Sequence, residues 1–281
     1  MTTQSSPTLR RRRLARRLRQ MRENAGMTLA EAAPRLHKTR SALGRIEKGE
    51  TAADVHLVRS MMDLYDQYDE NLEQMVQDAM VPGWWIPYGI KDRGFIGLET
   101  EATMALTSQL VYVPGLLQTE DYIRAVFKTG GIRRTPKVFE NQVAARLIRQ
   151  NRLTDEQSPL TLAAIIDEAA LRKPVGGPEV MHAQLLHLIE AAKLETVTIQ
   201  VIPNSVGAHE GMEGSFTILE FQDPEDPSLL YAEYPNGAVH VEKPDEVRDT
   251  RLIFDRLRSV ALPPVDSMAF AQRVAADWAS A

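Results

Sequence analysis

Residues 28–49, TLAEAAPRLHKTRSALGRIEKG, constrain the fold of this chain more than any other stretch. Their apolar positions recur at helical spacing in two short blocks, with two residues between the blocks. Thr28 and Glu31 form a capping-box signal at the start of the first block. Thr39 can cap the second block, Arg40–Glu47. We therefore predict two helices joined by a tight turn.

The second of these helices, Arg40–Glu47, has two different faces, and we call it the reading helix. Leu43 and Ile46, together with Ala42, predict a buried seam. The remaining positions are small or basic, and no acid precedes Glu47, which suits close approach to phosphates. This layout is that of a helix-turn-helix, whose second helix enters the major groove. A helical hairpin with a solvated basic face is the alternative.

The candidate DNA-binding residues lie on the outer face of the reading helix and at its ends. Basic side chains can donate to guanine or phosphate oxygens, hydroxyl groups make adaptable contacts, and glycine lets the backbone come close. The candidates are Lys38, Thr39, Arg40, Ser41, Gly44, Arg45 and Lys48. A module of this size reads few base pairs, so we expect a homodimer on double-stranded DNA with half-sites about one helical turn apart.

The charge of the chain is divided unevenly along its length. The whole chain of 281 residues has a formal net charge of −5. Residues 1–53 contain 13 Lys or Arg and four acids, a balance of +9, which leaves −14 on the remainder. A basic head on an acidic body is thus predicted, with the head facing the phosphates. We expect the run Arg10–Arg13 to contact phosphates, with a merely solvated basic helix as the alternative.

Composition argues against several other functional classes. No apolar run approaches the roughly 18 residues that a membrane helix needs, and the basic N-terminus lacks the apolar core of a signal peptide. The chain has no cysteine, which excludes disulfides and thiolate metal sites. We expect a cytoplasmic protein without a membrane partner, a metal or another cofactor.

The pattern of elements predicts an α+β chain. Residues 9–80 read as an all-α, five-helix DNA-binding domain, residues 81–97 as a linker, and residues 98–281 as a mixed α/β domain for regulation or interaction. Trp84 and Trp85 in the linker are expected to anchor it by packing, with a base-stacking platform as the alternative. Strands are predicted at residues 109–113, 160–167, 196–202, 215–222, 229–233 and 238–242. Helices are predicted at residues 136–153, 178–192, 244–260 and 264–279, with another after Thr119 and a possible opening helix at 99–106.

The second domain offers no convincing catalytic or metal site, and we do not expect an enzyme. Asp167 and Glu168 end a strand, but adjacent strand residues point to opposite faces, so a helix cap is favoured over a dyad. His182 and His187 lie five residues apart on a helix and do not share a face. His209, in a glycine-rich loop, and His240 each stand isolated in the sequence from these other candidate residues.

Three arginines of the second domain, Arg146, Arg149 and Arg152, follow one helix edge at spacings of three residues. They could bind an anion or an acidic partner. A solvated face is the favoured interpretation.

Residues 9–80 resemble the Xre and phage-repressor class of helix-turn-helix domains through GMTLAEAA and TRSALGRIEKG. The resemblance implies that Arg40, Ser41 and Arg45 face the bases and that Lys38, Thr39 and Lys48 lie near phosphates. It also implies an internal salt bridge between Arg22 and Glu47. The sequence departs from the pattern of that class at three positions, in the first helix of the pair and in the turn. Leu29 replaces a common glutamine, His37 replaces the usual turn glycine, and Pro34 lies inside a helix.

Residues 82–257 resemble the C-terminal domain of the actinobacterial Scr1-family antitoxin-like regulators, the WhiJ-like group. The segments that carry this resemblance include PGWW, VPGLLQTEDYIRAVF and IQVIPNSVGAHEGMEGSFTILEF. It implies a transcriptional regulator that is often paired with a small neighbouring-gene protein, as in a toxin–antitoxin module. Three hypotheses follow: a sequence-specific regulator whose second domain dimerises and senses, an antitoxin-like interaction protein that autoregulates, and an enzyme with an accessory DNA-binding head.

Overall fold

The computed structural model of the chain describes residues 9–90, 95–129, 135–235 and 237–280. These residues divide into two compact units. The first unit holds residues 9–87 and 95–98, and the second holds residues 88–90 and those from 99 onward. In the described ranges, no helix is both long enough and apolar enough to cross a membrane.

The described residues of the first unit confirm the five predicted helices. These are α1 (Leu9–Asn24), α2 (Leu29–Arg35), α3 (Arg40–Glu47, the reading helix), α4 (Val55–Tyr65) and α5 (Asn71–Met80). They share one core, in which Leu18, Met21, Leu43 and Met61 are completely buried. The core gathers one apolar stripe from each helix, as the helical spacing of these residues predicts.

The segment after α5 differs in part from the predicted linker. Trp85 is buried, and the ring of Trp84 meets it edge-on at 6.0 Å between centroids. Burial of Trp85 favours the anchoring role over a base-stacking platform, because a platform needs an open ring face. A helix, α6 (Phe95–Glu101), begins inside the segment that was expected to be a loop up to residue 97. The prediction of a loop at residues 95–97 is therefore wrong. Gly94 and Gly97 favoured a loop, although Phe95 and Leu98 follow at helical spacing.

A six-stranded mixed sheet forms the centre of the described second unit, in agreement with the α+β prediction. Its strands are β1 (Met104–Gln109), β2 (Thr161–Asp167), β3 (Val197–Ile202), β4 (Phe216–Glu220), β5 (Leu229–Tyr234) and β6 (Gly237–Val241). Their order is β3-β2-β1-β4-β5-β6. β1, β2 and β3 are parallel, whereas β4, β5 and β6 pair antiparallel.

The first predicted strand of this unit, at residues 109–113, is wrong. The chain instead forms β1 over MALTSQ, which pairs with β2 on one side and β4 on the other. Val111 and Tyr112 have a strong β propensity, yet they are exposed beyond the end of the strand. β1 lies between two other strands, and its residues Ala105 and Leu106 are buried. This burial stabilises a strand at residues 104–109 more than β propensity stabilises one at Val111 and Tyr112. The helix that could have opened at residues 99–106 ends at Glu101.

Helices surround this sheet in the described second unit. They are α7 (Glu120–Thr129), α8 (Pro136–Gln150), α9 (Glu168–Arg172), α10 (Pro178–Ala191), α11 (Pro244–Val260) and α12 (Pro264–Ala279). Phe254 and Leu257 of α11 pack on Leu106, Ile165 and Ile218, which share one face of the sheet. The opposite face carries Tyr231 and Thr107, since neighbouring strand residues alternate in direction.

Candidate nucleic-acid interface

Local signals fix the helix that precedes the reading helix. The hydroxyl of Thr28 accepts from the backbone N–H of Glu31, whose carboxylate accepts from the backbone N–H of Thr28 at 2.8 Å. This is the predicted capping box. Pro34 occupies the next-to-last position of α2. The proline therefore constrains only the last turn of a helix that ends one residue later.

The turn between α2 and the reading helix passes through His37 in the left-handed region. Its φ is +51°, a conformation that favours glycine and that a histidine adopts at some cost. Leu29, the other departure from the family pattern, is half-buried and packs against the core of the first unit. A Cβ added at Gly44 would lie 3.8 Å from Cδ1 of Leu29, so the side chain of Leu29 lies beside the reading helix.

A buried ion pair holds the reading helix on α1. Nε and Nη2 of Arg22 donate to the two carboxylate oxygens of Glu47 at 2.8 and 2.9 Å. Nη1 of Arg22 donates to the carbonyl oxygen of Met27 at 2.6 Å. The hydrogen bond with Glu47 raises the pKa of Arg22 above its usual value. The internal salt bridge implied by the resemblance is confirmed, and the one acid of the reading helix faces inward.

The candidate DNA-binding residues lie on the accessible side of the reading helix. Six of them are exposed: Lys38, Thr39, Arg40, Ser41, Arg45 and Lys48. Within the described residues, no carboxylate forms an ion pair with the four cations of this set. Other arginines of the same unit are paired, namely Arg17, Arg19, Arg22 and Arg59. The reading helix thus presents uncompensated positive charge, which suits contact with phosphates.

The smaller candidates have distinct local roles. The hydroxyl of Thr39 accepts from the backbone N–H of Ala42 at 3.1 Å, so it caps the reading helix as predicted. The same oxygen lies 3.1 Å from the hydroxyl of Ser41. Gly44 is half-buried, and a Cβ there would meet only Leu29 Cδ1, at 3.8 Å. The fold itself therefore does not require glycine at this position.

The arginine run of α1 lies beside the C-terminal end of the reading helix. Gly49 ends that helix with φ of +74°, and a Cβ there would lie 3.5 Å from the carbonyl oxygen of Arg11 and from Cα of Arg12. The side chain of Arg10 is exposed, whereas those of Arg11 and Arg12 are half-buried. This placement brings the run close enough to extend the basic surface of the reading helix.

Comparisons with known proteins agree with this geometry. Residues 13–75 match the family model described as a helix-turn-helix domain. Residues 92–273, about two thirds of the chain, match the domain of unknown function DUF5753. The chain belongs to the DUF5753 family. No curated protein and no solved structure matched it. The helix-turn-helix match indicates a DNA-binding regulator, because such domains place a helix in the major groove.

The three arginines of α8 and the turn after it do not form a solvated face of the DUF5753 domain, so the favoured interpretation is wrong. Arg149 donates through Nε and Nη2 to Glu99, at 2.5 and 2.8 Å. Arg152 donates to the carbonyl oxygens of Thr100 and Ala102. Arg146 is partly buried and donates through Nη1 to Gln118 at 2.9 Å. Sequence spacing alone gave no sign of these partners, which lie 28 to 52 residues away.

The predicted helix cap is confirmed for Asp167, whereas Glu168 is the first residue of the helix that Asp167 caps. A carboxylate oxygen of Asp167 accepts from the backbone N–H of Ala169 at 2.8 Å and caps α9. Glu168 binds Arg172 and accepts from the backbone N–H of Asn204.

The description of His209 as isolated is wrong. Its Nε2 lies 3.1 Å from the second carboxylate oxygen of Asp167, which is 42 residues away in sequence. Only the topology brings the two together, because His209 follows β3 and Asp167 ends its parallel neighbour β2. His240 is not isolated either, since its ring lies 5.1 Å from that of Tyr231.

His182 and His187 do not come together on α10. Nδ1 of His182 bonds to the carbonyl oxygen of Ala275 at 2.8 Å. Burial lowers the pKa of His187 below the usual histidine value. Across the ranges that the structure describes, no group of three or more His, Cys, Asp or Glu side chains could hold a metal ion.

Proposed function

We propose that this DUF5753 protein is a sequence-specific transcriptional regulator of the Xre class. In this proposal the reading helix enters the major groove, and the DUF5753 domain supplies dimerisation and senses a signal or partner. One observation carries the proposal: the cations of the reading helix are exposed and unpaired, while its single acid is buried against Arg22.

The chemistry of the interface divides between bases and backbone. Arg40 and Arg45 can donate two hydrogen bonds to O6 and N7 of guanine, and Ser41 can adapt to either base or phosphate. Lys38 and Lys48 flank the helix and suit phosphate contacts, which fix the register without reading sequence. Two such heads on a twofold-symmetric dimer would read a pseudo-palindromic operator.

The resemblance to Scr1-family, WhiJ-like regulators supports a second function. There the protein acts as an antitoxin-like partner of a small neighbouring-gene protein, and DNA binding serves autoregulation. Co-expression with that small protein distinguishes the two functions. Co-purification with altered operator affinity supports the antitoxin-like role, whereas operator binding that is indifferent to the small protein supports a regulator with another signal. In both cases we propose a cytoplasmic protein without catalytic activity.

The decisive experiment measures binding of the purified protein to its own upstream region at two salt concentrations, with random DNA as competitor. We expect tight binding that resists the competitor. Arg40→Ala should weaken binding to the cognate site by about 1–3 kcal/mol and relax specificity at one position. Arg59→Ala is the matched control, because Arg59 is also exposed on the first unit but pairs with Glu73. Equal losses on cognate and random DNA would make Arg40 a phosphate contact and contradict its role in reading bases.

A further inference from the structure

Two loops of the DUF5753 domain expose large apolar side chains where β1 ends and β4 begins. Val111 and Tyr112, in the loop after β1, are 42% and 39% exposed, and Met212, in the loop before β4, is 61% exposed. The loops meet where the backbone N–H of Leu110 donates to the hydroxyl of Ser215 at 3.1 Å. Single apolar side chains are common on protein surfaces, but a group of them on adjoining loops suits an interface. We call Val111, Tyr112 and Met212 the loop patch.

Hydrogen bonds from inside the domain hold the first of these loops in one conformation. The buried side chain of Gln118 donates to the carbonyl oxygen of Val113 at 2.7 Å, and the backbone N–H of Val113 donates to the buried hydroxyl of Tyr122 at 3.2 Å. Gln150 donates to the carbonyl oxygens of Gly115 and Gln118 at 3.1 and 2.7 Å. A loop fixed in this way loses little conformational entropy when a partner binds, so its exposed side chains are preorganised.

Side-chain contacts also hold the second loop. Nε2 of His209 lies 3.1 Å from a carboxylate oxygen of Asp167. Arg256 donates through Nε and Nη2 to the two carboxylate oxygens of Glu210 at 2.6 and 2.7 Å. Met212 follows Glu210 by two residues and remains exposed. Both halves of the loop patch are therefore presented by loops that the domain fixes from within.

The charge around the loop patch is acidic. Residues 110–121 and 204–215, which contain the two loops, hold four acids and no lysine or arginine. Two of these acids are paired with arginines, namely Glu120 and Glu210. In the part of the chain that the structure describes, no cation forms an ion pair with the other two, Asp121 and Glu213, which are exposed. A second copy of the same patch would bring like charges together, whereas lysine or arginine beside apolar side chains would balance them.

We infer that the loop patch is a docking surface for a partner segment whose apolar side chains are flanked by lysine or arginine, as in a basic amphipathic helix. Tyr112 is the anchor of this surface, because tyrosines on preorganised interfaces contribute a large share of the binding energy. Met212 adapts its flexible side chain to the partner, and Glu213 meets the partner's cations. The inference deepens the partner-sensing role proposed above and rests on it for biological meaning.

The test uses the full chain and two labelled synthetic peptides with leucine at helical spacing. The other positions are lysine in one peptide and glutamate in the other. Fluorescence anisotropy should show that the lysine peptide binds at least about tenfold more tightly than the glutamate peptide. Tyr112→Ser should weaken binding of the lysine peptide about tenfold or more. Leu186→Ser is the matched control, because Leu186 is 45% exposed on α10 but lies outside the two loops, and it should bind the lysine peptide as the unmodified chain does.

Met212→Ser keeps the inference falsifiable if Tyr112→Ser folds poorly, and it should also weaken binding. No binding of the lysine peptide, equal binding of the two peptides, or equal losses in the patch variants and Leu186→Ser would overturn the inference. Sedimentation velocity adds a further outcome: a dimer that Tyr112→Ser loses and Leu186→Ser retains would make a second copy the occupant and overturn it as well. Because these measurements contain no DNA, such a failure leaves operator binding by the reading helix untouched.

Discussion

Replacing Glu47 with glutamine tests whether the buried ion pair holds the reading helix on its scaffold. The side chains of Arg22 and Glu47 are only 9% and 4% exposed. Glu47→Gln keeps the shape but leaves the buried guanidinium with only Glu23 as a counter-charge, a half-exposed carboxylate 3.5 Å from Nη2. Breaking a buried pair from one side costs about 3–5 kcal/mol. This cost should appear as easier opening of the reading helix.

Hydrogen exchange of the full chain, followed by mass spectrometry, measures that opening directly. If the whole cost appears in the opening equilibrium, the hydrogen-bonded amides of residues 43–47 should exchange roughly 140- to 3700-fold faster, at about 1.4 kcal/mol per tenfold. Glu73→Gln is the matched control. Arg59 and Glu73 form the same two-nitrogen contact, but their side chains are 56% and 40% exposed. An exposed pair contributes about 0–1 kcal/mol, so exchange should change little.

Two outcomes would refute this reasoning. If Glu47→Gln exchanged like the unmodified chain, the pair would not hold the helix. If Glu47→Gln and Glu73→Gln accelerated exchange equally, burial would not decide the strength of these contacts. The double variant Arg22→Met with Glu47→Leu should recover much of the loss, because it removes both charges together.

Three further predictions concern DNA binding and pH. Gly44→Ala should stabilise the reading helix by about 0.5–1 kcal/mol and raise Tm, because alanine is the better helix former and its methyl group would meet only Leu29 at 3.8 Å. It should nevertheless weaken operator binding in a gel-shift assay if the backbone approaches DNA there; unchanged affinity would contradict close approach. Replacing Arg10–Arg13 with glutamine should weaken binding to all DNA and flatten the dependence of log K on log salt, and an unchanged slope would remove this run from the interface. Because burial lowers the pKa of His187, the unfolded chain binds more protons below pH 6.5, so the free energy of unfolding should fall as pH drops from 7 to 5. His187→Gln should reduce that fall in urea titrations, and an identical pH profile would contradict it.

The helices of the first unit could be predicted from sequence because their signals are local. Thr28, Thr39 and Asp54 each cap a helix within three residues of themselves, and the apolar residues follow at helical spacing. The same holds for α11 and α12, which begin at prolines. In these segments the interactions that define the element lie within a few residues of it.

Prediction failed where distant partners decide the structure. β1 was misplaced because its burial depends on two distant strands. Met104 of β1 pairs with Thr161 of β2, 57 residues further along the chain, and with Glu220 of β4, 116 residues further along. The spacing of the arginines of α8 predicts a solvated edge, but Glu99 and Gln118 form hydrogen bonds with two of them. The pairing of His209 with Asp167 likewise depends on the parallel register of β2 and β3. No pattern of neighbouring residues in the sequence predicts contacts between positions so far apart.

The inward position of Glu47 has a consequence for how binding preferences can change. In the reading helix, the residues that stabilise the fold (Leu43, Ile46 and Glu47) differ from those that face outward. Arg40, Ser41 and Arg45 can therefore be exchanged as a set without disturbing the core. Thr39 is the exception, because it both caps the helix and belongs to the candidate interface. A library varied at the three outward positions, with Thr39 retained, should yield folded proteins that recognise new operators.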